Sequence, residues 1–121
     1  MFIYWGKHNK AKRIRKIGQT KRTCKARCSS ADYTITMGYD YDDITASELT
    51  MLESVVRVVM ERKGYSIIGM DYMTMPKGKH DNTATQDFMQ AVDIANAVYA
   101  LVCSENPDPE QYKGDCMVYH Y

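Results

Sequence analysis

The distribution of charge along the chain restricts the folds that it can adopt. The first 31 residues contain ten lysines and arginines and no acidic residue, whereas residues 32–121 contain six basic and fifteen acidic side chains. The formal net charge of +1 therefore hides a segment of +10 followed by a segment of −9. Charged side chains are rarely fully buried unless they are paired, so these cations are expected at the surface. We call residues 1–31 the basic arm and residues 32–121 the acidic body.

The length of 121 residues suits one domain, 1–121, with a single hydrophobic core. No apolar run is long enough to span a membrane, and the first residues lack the pattern of a signal peptide. We therefore expect a cytoplasmic protein with no membrane partner. Its four cysteines are expected to be free thiols, because disulfide frameworks are typical of shorter secreted chains.

The basic arm is predicted to form a β-hairpin. An aromatic and β-branched run at 2–5 is followed by a second strand at 11–17, which makes 6–10 the loop. Side chains alternate along a strand, so Lys12 and Lys16 share one face of the second strand, while Arg13 and Arg15 share the other. A strand with cations on both faces cannot be buried, so we predict an edge strand or a projecting β-ribbon.

The acidic body contains two helix patterns and at least two strand patterns. Residues 33–41 alternate between apolar and polar positions, which predicts a half-buried strand, and 65–73 repeat this pattern. Thr45 with Glu48 forms a capping box at the start of a helix that ends at Gly64. Thr83 with Gln86 predicts the start of a second helix, and 117–121 could add a closing strand. The predicted fold is α+β, with two helices packed on one face of a mostly antiparallel sheet, in the order β-β-β-α-β-α(-β).

The run of cations without acids is typical of a surface that neutralises phosphates. Tyr4 and Trp5 lie across the predicted hairpin from the cations, where aromatic rings could stack on bases. Lys77 and Lys79 lie in a loop just before a helix N-terminus, which favours anions. The predicted binding residues are Tyr4, Trp5, Lys7, Lys10, Lys12, Arg13, Arg15, Lys16, Lys21, Arg22, Lys25, Arg27, Lys77 and Lys79.

These residues predict a non-catalytic binding protein whose ligand is nucleic acid. An alternative is a small viral-type, phage-like inhibitor that sequesters a nucleotide or cyclic-nucleotide signal, or that blocks an acidic host protein surface. The basic arm could also dock on the acidic body of another copy and give a homo-oligomer. Two simpler readings stay open, in which the cations protect a sheet edge and Trp5 is a core residue.

The sequence predicts no catalytic residue, no cofactor and no metal site. The histidines have no recognisable catalytic context, although a nuclease that uses His8 or His80 remains an alternative. A zinc site on Cys24, Cys28, Cys116 and His120 is another, but their three-residue gaps are permissive rather than diagnostic. Asp40, Asp42 and Asp43 could hold a metal ion, although favourable interaction with the dipole of the following helix explains them more simply. No glycine-rich phosphate loop occurs.

Overall fold

The computed structural model describes residues 1–20, 32–42, 44–69 and 72–103, and the backbone of one further strand at 115–118. The elements follow one another as β1 (Phe2–His8), β2 (Ile14–Thr20), β3 (Tyr33–Asp40), α1 (Ala46–Arg62), β4 (Ser66–Ile68), β5 (Tyr72–Thr74), α2 (Asp81–Cys103) and β6 (Asp115–Val118). The strands form one six-stranded sheet in the order β4-β5-β2-β1-β3-β6, and each pair is antiparallel. The predicted α+β fold is therefore confirmed.

The main hydrophobic core lies between the sheet and the two helices. Ile3 and Trp5 of β1 project into it together with Ile17 of β2, and side chains of α1 and α2 close it from the other side. The indole of Trp5 is 1% exposed and stacks on Phe88 of α2, with ring centroids 5.3 Å apart. Burying such a side chain contributes about 2–3 kcal/mol to folding. Trp5 is thus a core residue, as one of the two simpler readings has it.

A smaller apolar cluster lies on the opposite face of the sheet, which we call the open face. It consists of Phe2, Tyr4, Tyr33 and Ile35. The rings of Phe2 and Tyr4 lie over Gly38 and Gly18 of the neighbouring strands, where a Cβ atom would overlap them. The hydroxyl of Tyr4 lies 3.3 Å from that of Tyr33. These glycines let aromatic rings pack flat on the backbone of adjacent strands.

Helix α1 begins and ends as the sequence predicts. The hydroxyl of Thr45 accepts a hydrogen bond from the amide of Glu48, and the carboxylate of Glu48 accepts one from the amide of Thr45. Gly64, at φ +98°, follows the C-cap residue Lys63. A side chain there would be strained, so glycine suits the end of the helix.

The predicted start of α2 is wrong, because the helix begins at Asp81. The amide of Ala84 already donates to the carbonyl of His80, so Thr83 lies within the first turn and does not cap it. The predicted strand at 65–73 is also two short strands, β4 and β5, which pair as a hairpin. The closing strand starts two residues earlier than predicted, and residues 119–121 lie outside the described part of the chain.

The prediction of an edge strand or projecting ribbon in the basic arm is wrong. The hairpin ladder continues through Gly6 and Lys7, which pair with Lys16 and Arg15, so the turn occupies residues 9–13. Strand β2 pairs with β1 on one side and with β5 on the other, which makes it an interior strand. It tolerates cations on both faces because each face offers a partner. On the helix face Arg15 pairs with Asp81, and on the other face Lys16 lies near two tyrosine rings.

Candidate functional site

Five elements bring polar residues together at one end of the sheet, which we call the basic end. The end of β1 meets the start of β3 where the amide of Asn9 donates to the carbonyl of Asp32 over 2.8 Å. The start of β2 meets the segment after β5 where the amide of Met75 donates to the carbonyl of Arg13 over 2.9 Å. The Nζ of Lys7 lies 2.9 Å from a carboxylate oxygen of Asp81, the first residue of α2.

Positive charge dominates this end among the described residues. Its cations are Lys7, Lys10, Lys12, Arg13, Arg15, Lys16 and Lys77, and its carboxylates are Asp32 and Asp81. Seven cations against two carboxylates give a local excess of five positive charges. The N-terminus of α2 adds the positive end of a helix dipole. The basic end therefore attracts anions more strongly than the net charge of the chain suggests.

Asp81 holds two of these cations. Arg15 points to the helix face of the sheet, is 2% exposed, and makes an ion pair with Asp81. Its guanidinium also donates to the carbonyls of Lys12 and Ile14, over 2.9 Å and 3.0 Å. A buried charge is tolerated when it is paired and hydrogen-bonded in this way. A phosphate could reach Arg15 only by displacing Asp81. The role of Arg15 is therefore to stabilise the structure of the basic end, and it adds little exposed positive charge.

The pKa of Asp81 reflects the same contacts. The hydrogen bond from Lys7 lowers this pKa most, the charge of Arg15 lowers it further, and partial burial only partly opposes them. The carboxylate is therefore ionised whenever the protein is folded near neutral pH, and it stays bound to both cations.

The turn between β1 and β2 presents exposed cations on a fixed backbone. The Nδ1 atom of His8 accepts hydrogen bonds from the amides of Lys10 and Ala11, over 3.1 Å and 3.0 Å. Arg13 donates to the carbonyl of Met75 over 2.5 Å. In the described part of the chain neither Lys10 nor Lys12 pairs with a carboxylate. These lysines and Arg13 are exposed.

Lys79 and Lys77 differ in their surroundings. Lys79 makes an ion pair with Asp87 of α2 and lies 5.1 Å from the ring centroid of Tyr65. Burial alone would raise the pKa of Asp87, but hydrogen bonds from Lys79 and Tyr65 outweigh it and lower that pKa. The charge of Lys79 is therefore balanced by that of Asp87, and the ion pair fastens the loop to α2. Lys77 is exposed, two residues after the Met75 contact with Arg13.

The aromatic residues near the cations are not the ones predicted. Tyr4 and Trp5 are buried at 2% and 1% exposure, so the prediction that they stack on a ligand is wrong. Instead, the Nζ of Lys16 lies on the open face 4.0 Å from the ring centroid of Tyr33 and 5.6 Å from that of Tyr72. The only signal in the sequence is that both tyrosines occupy predicted strands whose side chains alternate.

Two clefts flank the basic end. The larger, which we call the polar cleft, has a volume of about 690 Å³ and lies between β1, β3 and the start of α2. Lys7, Asn9, Arg15, Thr34 and Asp81 are among its lining residues. The second, which we call the apolar cleft, has a volume of about 540 Å³ and is lined by His8, Ile14, Asp32, Ile68, Gly69 and Tyr72. His8 lines both clefts.

Some predicted residues cannot be placed. Lys21, Arg22, Lys25 and Arg27 lie outside the described residues, as do Asp43, Cys24, Cys28, His120 and the side chain of Cys116. Within the described residues no three metal-ligating side chains lie together. Neither of the two described helices has the length and apolar character needed to cross a bilayer.

The chain matches no protein-family model, no curated protein sequence and no solved structure.

The ion pairs of Asp81 predict an acid-sensitive contribution to stability. Because the folded-state pKa is lowered, this contribution is full above the unfolded pKa near 4 and is lost as pH falls through the folded pKa. An Asp81→Asn variant is expected to lose about 1 kcal/mol of unfolding free energy at pH 7, since the carboxylate is 58% exposed. Urea unfolding at pH 7 and at low pH should show this difference shrinking on acidification. Glu61→Gln, which changes an exposed carboxylate of α1, is the control, and a difference that stays constant with pH would contradict the assignment.

Proposed function

We propose that the protein is a non-catalytic binding protein that binds the phosphates of nucleic acid at the basic end. The observation that carries this proposal is the excess of cations there, with Lys10, Lys12 and Arg13 exposed on a turn that hydrogen bonds hold in place. A turn whose backbone is already fixed loses little backbone conformational entropy on binding, which favours association of its cations with a polyanion.

A polymer fits the distribution of these charges better than a single phosphate does. The exposed cations come from two segments of the chain, the β1–β2 turn and the loop that contains Lys77. Phosphates repeat along a nucleic acid strand, so several can be neutralised at once, with release of their counterions. The cytoplasmic location expected from the sequence stays a prediction.

The salt dependence of binding tests this proposal. Labelled mixed-sequence RNA and DNA would be titrated with the protein and followed by fluorescence anisotropy at about 50 mM and 200 mM salt. Four phosphate contacts, from Lys10, Lys12, Arg13 and Lys77, would weaken binding roughly 50- to 150-fold between these concentrations. Binding that does not depend on salt would contradict a phosphate-binding surface.

A second candidate function is the sequestration of a small nucleotide, and the polar cleft favours it. Its volume of about 690 Å³ falls in the range of about 300–1,000 Å³ that is typical of ligand pockets, and Lys7 and Arg15 line it. Against this stands Asp81, which already occupies both cations. A saturable thermal shift with a mono-, di- or cyclic nucleotide, without polymer binding, would favour this function.

A further inference from the structure

A row of side chains crosses the open face at the basic end. Ile68 pairs with Tyr72, Tyr72 with Lys16, and Lys16 with Gly6, and paired residues share a face of the sheet. The ring of Tyr33 covers Gly6, because a Cβ atom there would lie 3.3 Å from it. The open face therefore carries two tyrosine rings with the ammonium of Lys16 between them.

The apolar cleft lies at the outer end of this row. The side chains of Ile14 and Ile68 provide apolar walls, while Tyr72 and His8 add aromatic ones. The two rings meet edge to face, with centroids 5.9 Å apart. Ile68 is 44% exposed on the short edge strand β4. The volume of about 540 Å³ is large enough for an aromatic ligand group.

The chemistry of the cleft suits a neutral aromatic ring rather than a phosphate. Among the described residues that line it, the charged side chain is the carboxylate of Asp32, which does not favour an anion there. The Nζ of Lys16 lies beside the cleft on the open face, 5.6 Å from the ring centroid of Tyr72, and Lys12 belongs to the turn that precedes Ile14. An apolar hollow with aromatic walls, next to exposed cations, is the arrangement that holds a base while its phosphates stay outside.

We propose that the apolar cleft receives an unpaired base and that the nucleic acid bound at the basic end is single-stranded. This inference rests on the proposed function and names the substrate class of the same site. A base within a duplex is stacked on both sides and cannot enter the cleft, whereas a single strand can turn one base inward. The stacking contact on Tyr72 adds affinity that does not depend on salt.

The experiment compares three ligands: a mixed-sequence single strand, a single strand of the same length in which the bases have been removed, and the duplex of the intact strand. The two single strands carry the same phosphates, whereas the duplex carries twice as many. Anisotropy titrations are expected to give about tenfold tighter binding of the intact single strand than of the duplex or the abasic strand. Equal affinity for the intact and abasic strands would overturn the proposal.

Two substitutions locate the effect. Tyr72→Ala is expected to weaken binding of the intact single strand about tenfold, with no change in its salt slope and no change for the abasic strand. Tyr72→Phe keeps the ring and should bind like the unchanged protein. Ile68→Ser, on the exposed edge strand, should give a smaller loss with little effect on folding, which thermal unfolding would check. A Tyr72→Ala loss that is equal for intact and abasic strands would overturn the base contact.

Different binding results would contradict the base cleft and the phosphate surface. Binding that depends on salt, but not on the bases or on the substitutions at Tyr72 and Ile68, would agree with the phosphate surface and contradict the base cleft. Absence of binding to all three ligands at low salt would remove both. Binding of a protein through the same cleft, with no nucleic-acid binding, would also overturn the inference.

Discussion

A Gly38→Ala variant is expected to lose about 3 kcal/mol of unfolding free energy, at the upper end of the usual cost of overpacking a core. The new Cβ would overlap the Cζ atom of Phe2 and would lie 2.6 Å from the backbone carbonyl oxygen of Ile3. Phe2 is fully buried and cannot swing away, and Ile3 belongs to the β1–β3 ladder. Relief of the overlap would therefore have to separate two central strands.

Two other glycine substitutions complete the comparison by urea unfolding, one as a control and one as a second test. Gly6→Ala places its Cβ 3.3 Å from the ring of Tyr33, a tight contact without overlap, so the expected change is below about 1 kcal/mol. Gly18→Ala overlaps only the far end of the Tyr4 ring, so Tyr4→Leu should recover part of its loss. Tyr4 and Gly18 should thus couple in a double-mutant cycle. Equal stabilities for Gly38→Ala and Gly6→Ala would contradict this packing.

The elements predicted correctly from the sequence depend on local signals. The capping box of Thr45 and Glu48 and the alternation along β3 involve residues a few positions apart, and both appear in the structure. The position of β2 depends on distant residues instead. Arg15 can lie in an interior strand because Asp81, 66 residues later, provides a carboxylate. No pattern near Arg15 indicates that partner, so the sequence alone predicts an exposed edge for these cations.

The candidate site was predictable in its charge but not in its geometry. The excess of cations in the arm can be counted directly, whereas the carboxylates that engage Lys7 and Lys79 come from α2. For the aromatic residues, alternation alone places Tyr4 and Trp5 on opposite faces of β1, so both could not contact one ligand. The tyrosines near Lys16 come from β3 and β5, and only the sheet order brings them together.

The largest expected effect on binding follows neutralisation of the β1–β2 turn. A Lys10→Gln, Lys12→Gln variant should bind single-stranded nucleic acid about a hundredfold more weakly at about 50 mM salt. Its logarithmic salt slope should be shallower by about 1.4, because each phosphate contact on a single strand contributes about 0.7. The fold should persist, since both side chains are exposed and the turn is held by hydrogen bonds from the backbone amides of Lys10 and Ala11 to the Nδ1 of His8.

A control variant has to separate the effect of where a positive charge lies from the effect of the total charge. Arg62→Gln removes one positive charge from an exposed residue of α1, and Lys12→Gln removes one from the turn. If the basic end is the binding surface, Lys12→Gln should weaken binding about tenfold while Arg62→Gln changes it little. Asp81→Asn should act in the opposite direction and tighten binding, because it removes a carboxylate that engages Lys7 and Arg15. Equal losses from Lys12→Gln and Arg62→Gln would mean that nucleic acid responds only to the total charge of the protein.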